Sequence, residues 1–240
     1  MTRTTANNLS NRIMTHLDFT IDFETCALSG NAAPMQVAIV PWRRSAEDDP
    51  FAIDKAIPFV RYVDLRTCVV DGYDFDHDTI SWWSRQSAES KDAVCDGTPE
   101  PVIDAMFAAI NYLRDTAAFY HADSVCLWCQ GPDVDIAILR NFCKKHDVNL
   151  EDMVPHTSFR DCRTIILEAA LLIAERSMTG KSTRARGIAM PHQILADPTL
   201  AYKIFDGLPE KYQQGTAHDA LYDAMRSSWN TWQALQAIRQ

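Results

Sequence analysis

The sequence predicts an α/β domain on a mixed sheet, and three observations carry that prediction. Three short runs of strand character come first: LDFTIDF at 17–23, MQVAIVPW at 35–42 and AIPFVRYV at 56–63, divided by turn-like stretches. Beyond residue 79, segments with helical spacing of apolar residues alternate with short apolar runs. The composition is that of an ordinary globular chain, with 47% hydrophobic and 23% charged residues and only 8 glycines and 11 prolines. Strands first, then strands alternating with helices, predict three antiparallel strands continued by parallel ones and flanked by helices.

The 240 residues suit one domain with a large core. Residues 1–15 read as a mobile polar tail and 16–240 as a single domain. After the three strands, residues 79–94 (TISWWSRQSAESKDAV) and 101–120 read as helices. Residues 124–129 (SVCLWC) read as a buried strand, 135–146 as a helix, 157–162 as a short strand and 164–177 as a helix. The stretch 178–215 is the least regular and reads as a long excursion, a kind of loop that is often functional. The last helix is placed from His218 onward.

The formal net charge of −9 argues against coating nucleic acid or an anionic membrane through bulk charge. It leaves room for an enzyme whose acidic cleft is loaded with metal ions that meet a phosphate. Seven scattered cysteines, an odd number without a disulfide framework, point to reduced thiols and a cytoplasmic protein. No apolar signal core and no run of about 18 apolar residues is visible.

Asp22 and Glu24 stand two apart in a strand, so both carboxylates share a face. Two desolvated like charges repel. Either they end a strand facing water, or they hold a hard divalent cation. Further acids stand at element ends: Asp133 and Asp135 where strand 124–129 turns into a helix, and Asp219 and Asp223, with His218, at the start of the last helix.

Taken together, DFET at 22–25, VDIAIL at 134–139 and HDALYD at 218–223 resemble the DEDDh exonucleases. That family has D-x-E, then an Asp opening a helix, then H-x4-D. TISWWSRQS at 79–87, CQG at 129–131 and RDCRT at 160–164 resemble a subgroup that includes the T-even phage exonuclease A (DexA) and, more distantly, mycobacterial RNase AS. The resemblance runs from about Leu17 to Trp232. It implies an RNase H-like (DnaQ-like) fold and a 3′-5′ exonuclease with two divalent cations, Mg²⁺ or Mn²⁺. The substrate it implies is the 3′ end of DNA, with RNA as the alternative and a bacteriophage enzyme as one setting. Asp22 would bridge the ions. Glu24 and Asp223 would hold the first and Asp135 the second, while His218 would act as general base. Asp135 is preferred to Asp133 because it stands four before Leu139, as the motif requires. A homodimer occurs in this superfamily, but no dedicated element for one is visible.

Other readings are local. His218 and Asp223 are about 140° apart on an ideal helix, so His218 must sit in the loop ahead of it. Asp219 reads as an N-cap or a surface residue rather than a ligand. By resemblance, Thr25 would bond the terminal 3′-hydroxyl and Leu28 would pack on the terminal base. Of the adjacent Trp82 and Trp83, at most one can stack a base; both could pack on the core instead. Asp161 and Arg163 flank a strand end near the site; an ion pair bracing the cleft is expected, with substrate contact as the alternative. Arg176, Lys181, Arg184 and Arg186 make the densest basic segment, either a solvated loop or a phosphate-binding flap. Cys126 and Cys129 have CxxC spacing but would face opposite sides of a strand, which argues against zinc. Asp74, Asp76 and Asp78 lack the glycine and glutamate of a calcium loop. A glycosidase built on two carboxylates would leave Asp135, His218 and Asp223 without a role. A non-catalytic module that only holds nucleic-acid ends would not need His218.

Overall fold

A computed structural model describes residues 15–179, 189–205 and 207–240. The chain forms a six-stranded mixed sheet with helices on both faces. Strand β1 (His16–Thr25) pairs antiparallel with β2 (Pro34–Trp42), which pairs antiparallel with β3 (Phe59–Val63). On its other side β1 runs parallel to β5 (Ser124–Cys129), and β5 runs parallel to β6 (Phe159–Asp161). A two-residue strand, β4 (Pro99–Glu100), closes the far edge and gives the order β4-β3-β2-β1-β5-β6. The expected antiparallel strands followed by parallel ones are present.

The period-2 pattern of β1 decides what each face holds. Leu17, Phe19, Ile21 and Phe23 are buried on one face with Ala105, Met106, Ala109, Ile110 and Leu113 of α4 (Val102–Phe119). Ile136, Ile138, Leu139 and Phe142 of α5 (Asp135–Lys145) join the same core. Asp18, Thr20, Asp22 and Glu24 share the opposite face. There Trp42, Cys126 and Trp128 pack against α6 (Cys162–Met178), while Ala38 and Val40 pack against α9 (Ala220–Arg239). Cys126 and Cys129 accordingly fall in different cores, on opposite sides of the sheet. All seven cysteines are free.

Near the start of β1, Asp18 is fully buried. Its carboxylate accepts from Arg44 Nε at 2.8 Å and from Trp128 Nε1 at 2.7 Å, and His16 Nε2 stands 3.2 Å away. Its hydrogen bond to Asp18 pushes the His16 imidazole up to about 9. Buried charge is thus paired at this end of the polar row.

Several elements differ from expectation. The helix predicted over 79–94 is two helices, α2 (His77–Ser84) and α3 (Ala88–Ala93), because the Ser87 hydroxyl accepts from Ser90 N and starts a new helix. A short α1 (Leu65–Val70), capped by Asp64, precedes them and was not foreseen. Within 178–215 lie α7 (Pro191–Ala196), with Pro at its first position, and α8 (Thr199–Phe205). The last helix begins at Ala220, with Asp219 as its N-cap, rather than at His218. Residues 1–14, the bulk of the expected tail, and Lys181, Arg184 and Arg186 of the basic segment lie outside the described residues. No helix among the described residues is long and apolar enough to cross a membrane.

Candidate active site

The C-terminal end of β1 opens into a cleft of about 880 Å³ lined by Asp22, Glu24, Asp135, His218 and Asp223. Four stretches of chain converge there, and each does so for a local reason. Asp22 faces the cleft beside Ala38 of β2, whose small side chain leaves room for α9 above it. A register shift falls between Glu24 and Thr25, where Pro34 lacks an N–H for the ladder. Asp135 is the first residue of α5 and is buried, and its Oδ1 accepts from Phe23 N at 3.2 Å. That bond ties the start of α5 to the middle of the acidic strand. Asp133 is exposed, and it does not line the cleft.

Helix α9 approaches the sheet closely because the residues beneath it are small. Ala220, Ala224, Ser227, Ser228 and Thr231 are all buried. Gln36, opposite Glu24 in the β1–β2 register, sets the start of this helix. Its Nε2 donates to Asp219 Oδ1 at 3.2 Å, and its Oε1 accepts from Ala220 N at 2.8 Å. Gln130 Nε2 donates to Ser227 Oγ at 2.5 Å and joins the end of β5 to the same helix. Asp223 is thereby held over Glu24.

His218 lies in the loop before α9 with φ +67°, a left-handed conformation that costs energy for a residue other than glycine. Its backbone N–H donates to Asp223 Oδ2 at 2.9 Å, and Ser90 Oγ donates to the carbonyl of Ala217 at 2.9 Å. The imidazole meets Trp82 edge-to-face at 4.8 Å between ring centres, and Trp83 at 6.2 Å. Ligand atoms of Glu24, His218 and Asp223 lie within 4.8 Å of one another. The sharp turn removes the angular conflict between His218 and Asp223 on an ideal helix.

The electrostatics are those of a site short of positive charge. Burial raises Asp22 well above the usual carboxylate range, and repulsion from Asp135, Glu24, Asp223 and Asp219 adds to it. Burial, then repulsion from Asp223, Asp135 and Asp219, pushes Glu24 up to about 8. Burial lifts Asp135 to about 7 against the opposing pull of the Phe23 N–H and of Arg163. Asp223 is raised by burial as well. Four oxygen-donor acids, each raised by burial, beside an imidazole, fit hard divalent cations.

The expected substrate-side residues Thr25, Leu28 and Trp82 line the same cleft. Leu28 is 74% exposed. Thr25 Oγ1 donates to the Ala27 carbonyl at 2.6 Å, which leaves its oxygen able to accept. The two tryptophans divide as their spacing requires. Trp83 is buried and donates Nε1 to the Thr25 carbonyl at 2.9 Å, while Trp82 remains open to the cleft. Asp76 caps α2, and Asp74 accepts from Ser29 and Asn31.

The expected Asp161–Arg163 ion pair does not form. Asp161 is the N-cap of α6, accepting from Arg163 N at 3.0 Å and Thr164 Oγ1 at 2.6 Å. The Arg163 side chain turns into the cleft instead. Arg85, Gln130 and Arg226 also line it and were not singled out by sequence reasoning. Arg226 follows Asp223 by three on α9, a spacing that puts both on one helix face and that would have found it. Arg176 donates Nη1 to the Ala237 carbonyl at 2.9 Å.

The chain is similar to solved structures, two of which share this architecture. Escherichia coli ExoI in a zinc-bound complex with ssDNA matches with a TM-score of 0.52 and 14% identity, over 95% of this chain and 41% of that one. An ExoI/SSB-Ct complex matches with a TM-score of 0.53 and 14% identity, over 95% and 42%. The chain thus spans about two fifths of the ExoI chains. The nuclease domain of 3′hExo, a DEDDh family member bound to rAMP, matches with a TM-score of 0.48 and 13% identity, over 92% of each chain. No curated protein is matched by sequence. The model of one domain family covers residues 17–235, from the first buried residue of β1 to near the end of α9. The acidic strand, the Asp that opens α5 and the histidine ahead of α9 all fall within that match, and the chain belongs to the Rv2179c-like 3′-5′ exoribonuclease domain family.

Proposed function

We propose that this protein is a metal-dependent 3′-5′ exonuclease that shortens single strands and releases nucleoside 5′-monophosphates, with RNA as its principal substrate. The observation that carries the reaction is the convergence of Asp22, Glu24, Asp135, Asp223 and His218 in one cleft. The family match supports RNA. The DexA-like motifs at 79–87, 129–131 and 160–164 support a second reading, DNA as the substrate.

Asp22, Glu24, Asp135 and Asp223 would hold two divalent cations, Mg²⁺ or Mn²⁺. Bound there, the ions supply Lewis-acid activation of water and neutralise charge on the phosphate. The chain's own residues do the rest. The carboxylates release their protons as they take on cations. His218, held over the site by its turn and by Trp82, takes the proton of the attacking water on its imidazole. Thr25 accepts from a hydroxyl of the terminal sugar, and Leu28 and Trp82 enclose its base. The proposed product follows from attack on the 3′-terminal phosphodiester, with the 3′-oxygen of the preceding nucleotide leaving.

The test uses 5′-labelled single-stranded RNA and DNA of one sequence with Mg²⁺, Mn²⁺ or EDTA. A metal-dependent ladder shortening from the 3′ end of RNA faster than of DNA is expected. A faster ladder on DNA moves the protein to the second reading. Equal cutting of circular and linear strands overturns the exonuclease reading.

A further inference from the structure

Resting on the exonuclease reading, we infer that Arg163 is a phosphate-binding residue of the cleft, taking a non-bridging oxygen of the nucleic-acid backbone on the Asp135 side. Four structural observations meet at this side chain. It lines the cleft and is exposed to it. It shares that cleft with Asp135. Yet among the described residues no acid comes within ion-pairing distance of the guanidinium. Its neighbour Asp161 is spent on capping α6.

The local backbone makes room for this placement. Gly131 follows β5 with φ +107°, and a Cβ there would stand 2.9 Å from Arg163 Nη1 and 3.3 Å from Cζ. The guanidinium lies directly against the bare glycine. A long cationic side chain is thus kept in place without a protein counter-ion. The four acids are matched in charge by two divalent cations, so each backbone phosphate that enters brings an unmatched negative charge. A guanidinium offers planar paired donors suited to phosphate oxygens.

The test compares wild type with Arg163→Ala and Arg163→Lys on the single strand that wild type degrades. Arg163→Ala should lower kcat/KM by roughly 10- to 100-fold, mostly through KM. The slope of log kcat/KM against log salt should become shallower by about 0.7, one phosphate contact on a single strand. Arg163→Lys keeps the charge and should keep the slope while losing part of the affinity. The Mn²⁺-induced rise in melting temperature of Arg163→Ala should match wild type, so that a damaged metal site is not the cause. An unchanged salt slope in Arg163→Ala would overturn the inference alone. A wild type inactive on both polymers removes the exonuclease reading and this inference with it.

Discussion

Asp135→Asn tests the electrostatic strain of the cleft without any substrate. Asp135 is 6% exposed, and burial lifts it from 3.8 to about 7. Its folded value lies above its unfolded one, so the protonated folded form contributes stability that is complete below pH 3.8. That stability is lost as pH rises through about 7. Between about pH 5.5 and 7 the unfolded chain has released this proton and the folded chain still holds it. The loss is about 1.4 kcal/mol per pH unit, or about 2 kcal/mol across the window. For a chain of this size that is a fall of about 4–8 °C in melting temperature. Asn cannot ionise, so in EDTA the wild type should fall by that much relative to Asp135→Asn over the window. The comparison matters because His16, folded value about 9, adds its own loss above pH 6.5 in both proteins. Added Mn²⁺ should reverse the wild-type trend, since the acids must be ionised to bind it. Thermal melts at half-unit pH steps provide the assay. Parallel curves for the two proteins in EDTA would refute the strained-acid account.

The remaining predictions concern single side chains. His218→Ala should slow cleavage by roughly 10²–10⁴-fold while keeping the metal-induced rise in melting temperature; a variant as fast as wild type removes the general-base role. Trp82→Ala should raise KM by roughly 5- to 100-fold, the worth of one stacked base, with little change in stability, because the ring faces the cleft. Steady-state kinetics decide that point. Asp18→Asn leaves Arg44 and His16 without their buried partner and should cost about 3–5 kcal/mol in urea unfolding. It should also flatten the fall in stability between pH 6.5 and about 9, because the Asp18 hydrogen bond is the main support of the His16 proton.

Much of this protein is legible in one dimension. The alternation in LDFTIDFE separates a row of apolar residues from a row of polar ones, and a strand's period of two leaves no other arrangement. That alternation fixes both the core face and the carboxylate face of β1. The helix reading likewise put Asp135 at a helix start and Asp219 at a cap, because such signals are local, whereas His218 came off the helix only through the requirement that it meet Asp223. What spacing could not contain was contact across the chain. The break of the 79–94 helix depended on Ser87, which caps α3 through Ser90 N, while the Ser90 hydroxyl ties α3 to the carbonyl of Ala217. The fate of Arg163 turned on Asp161 being consumed by a cap and on a bare glycine 32 residues earlier in the chain. The small residues of α9 find their reason only in the sheet beneath them, which they let the helix approach. Sequence determines which residues share a face, since that follows from backbone period. Only the tertiary structure decides which faces meet, since that depends on the volumes and partners that packing brings together.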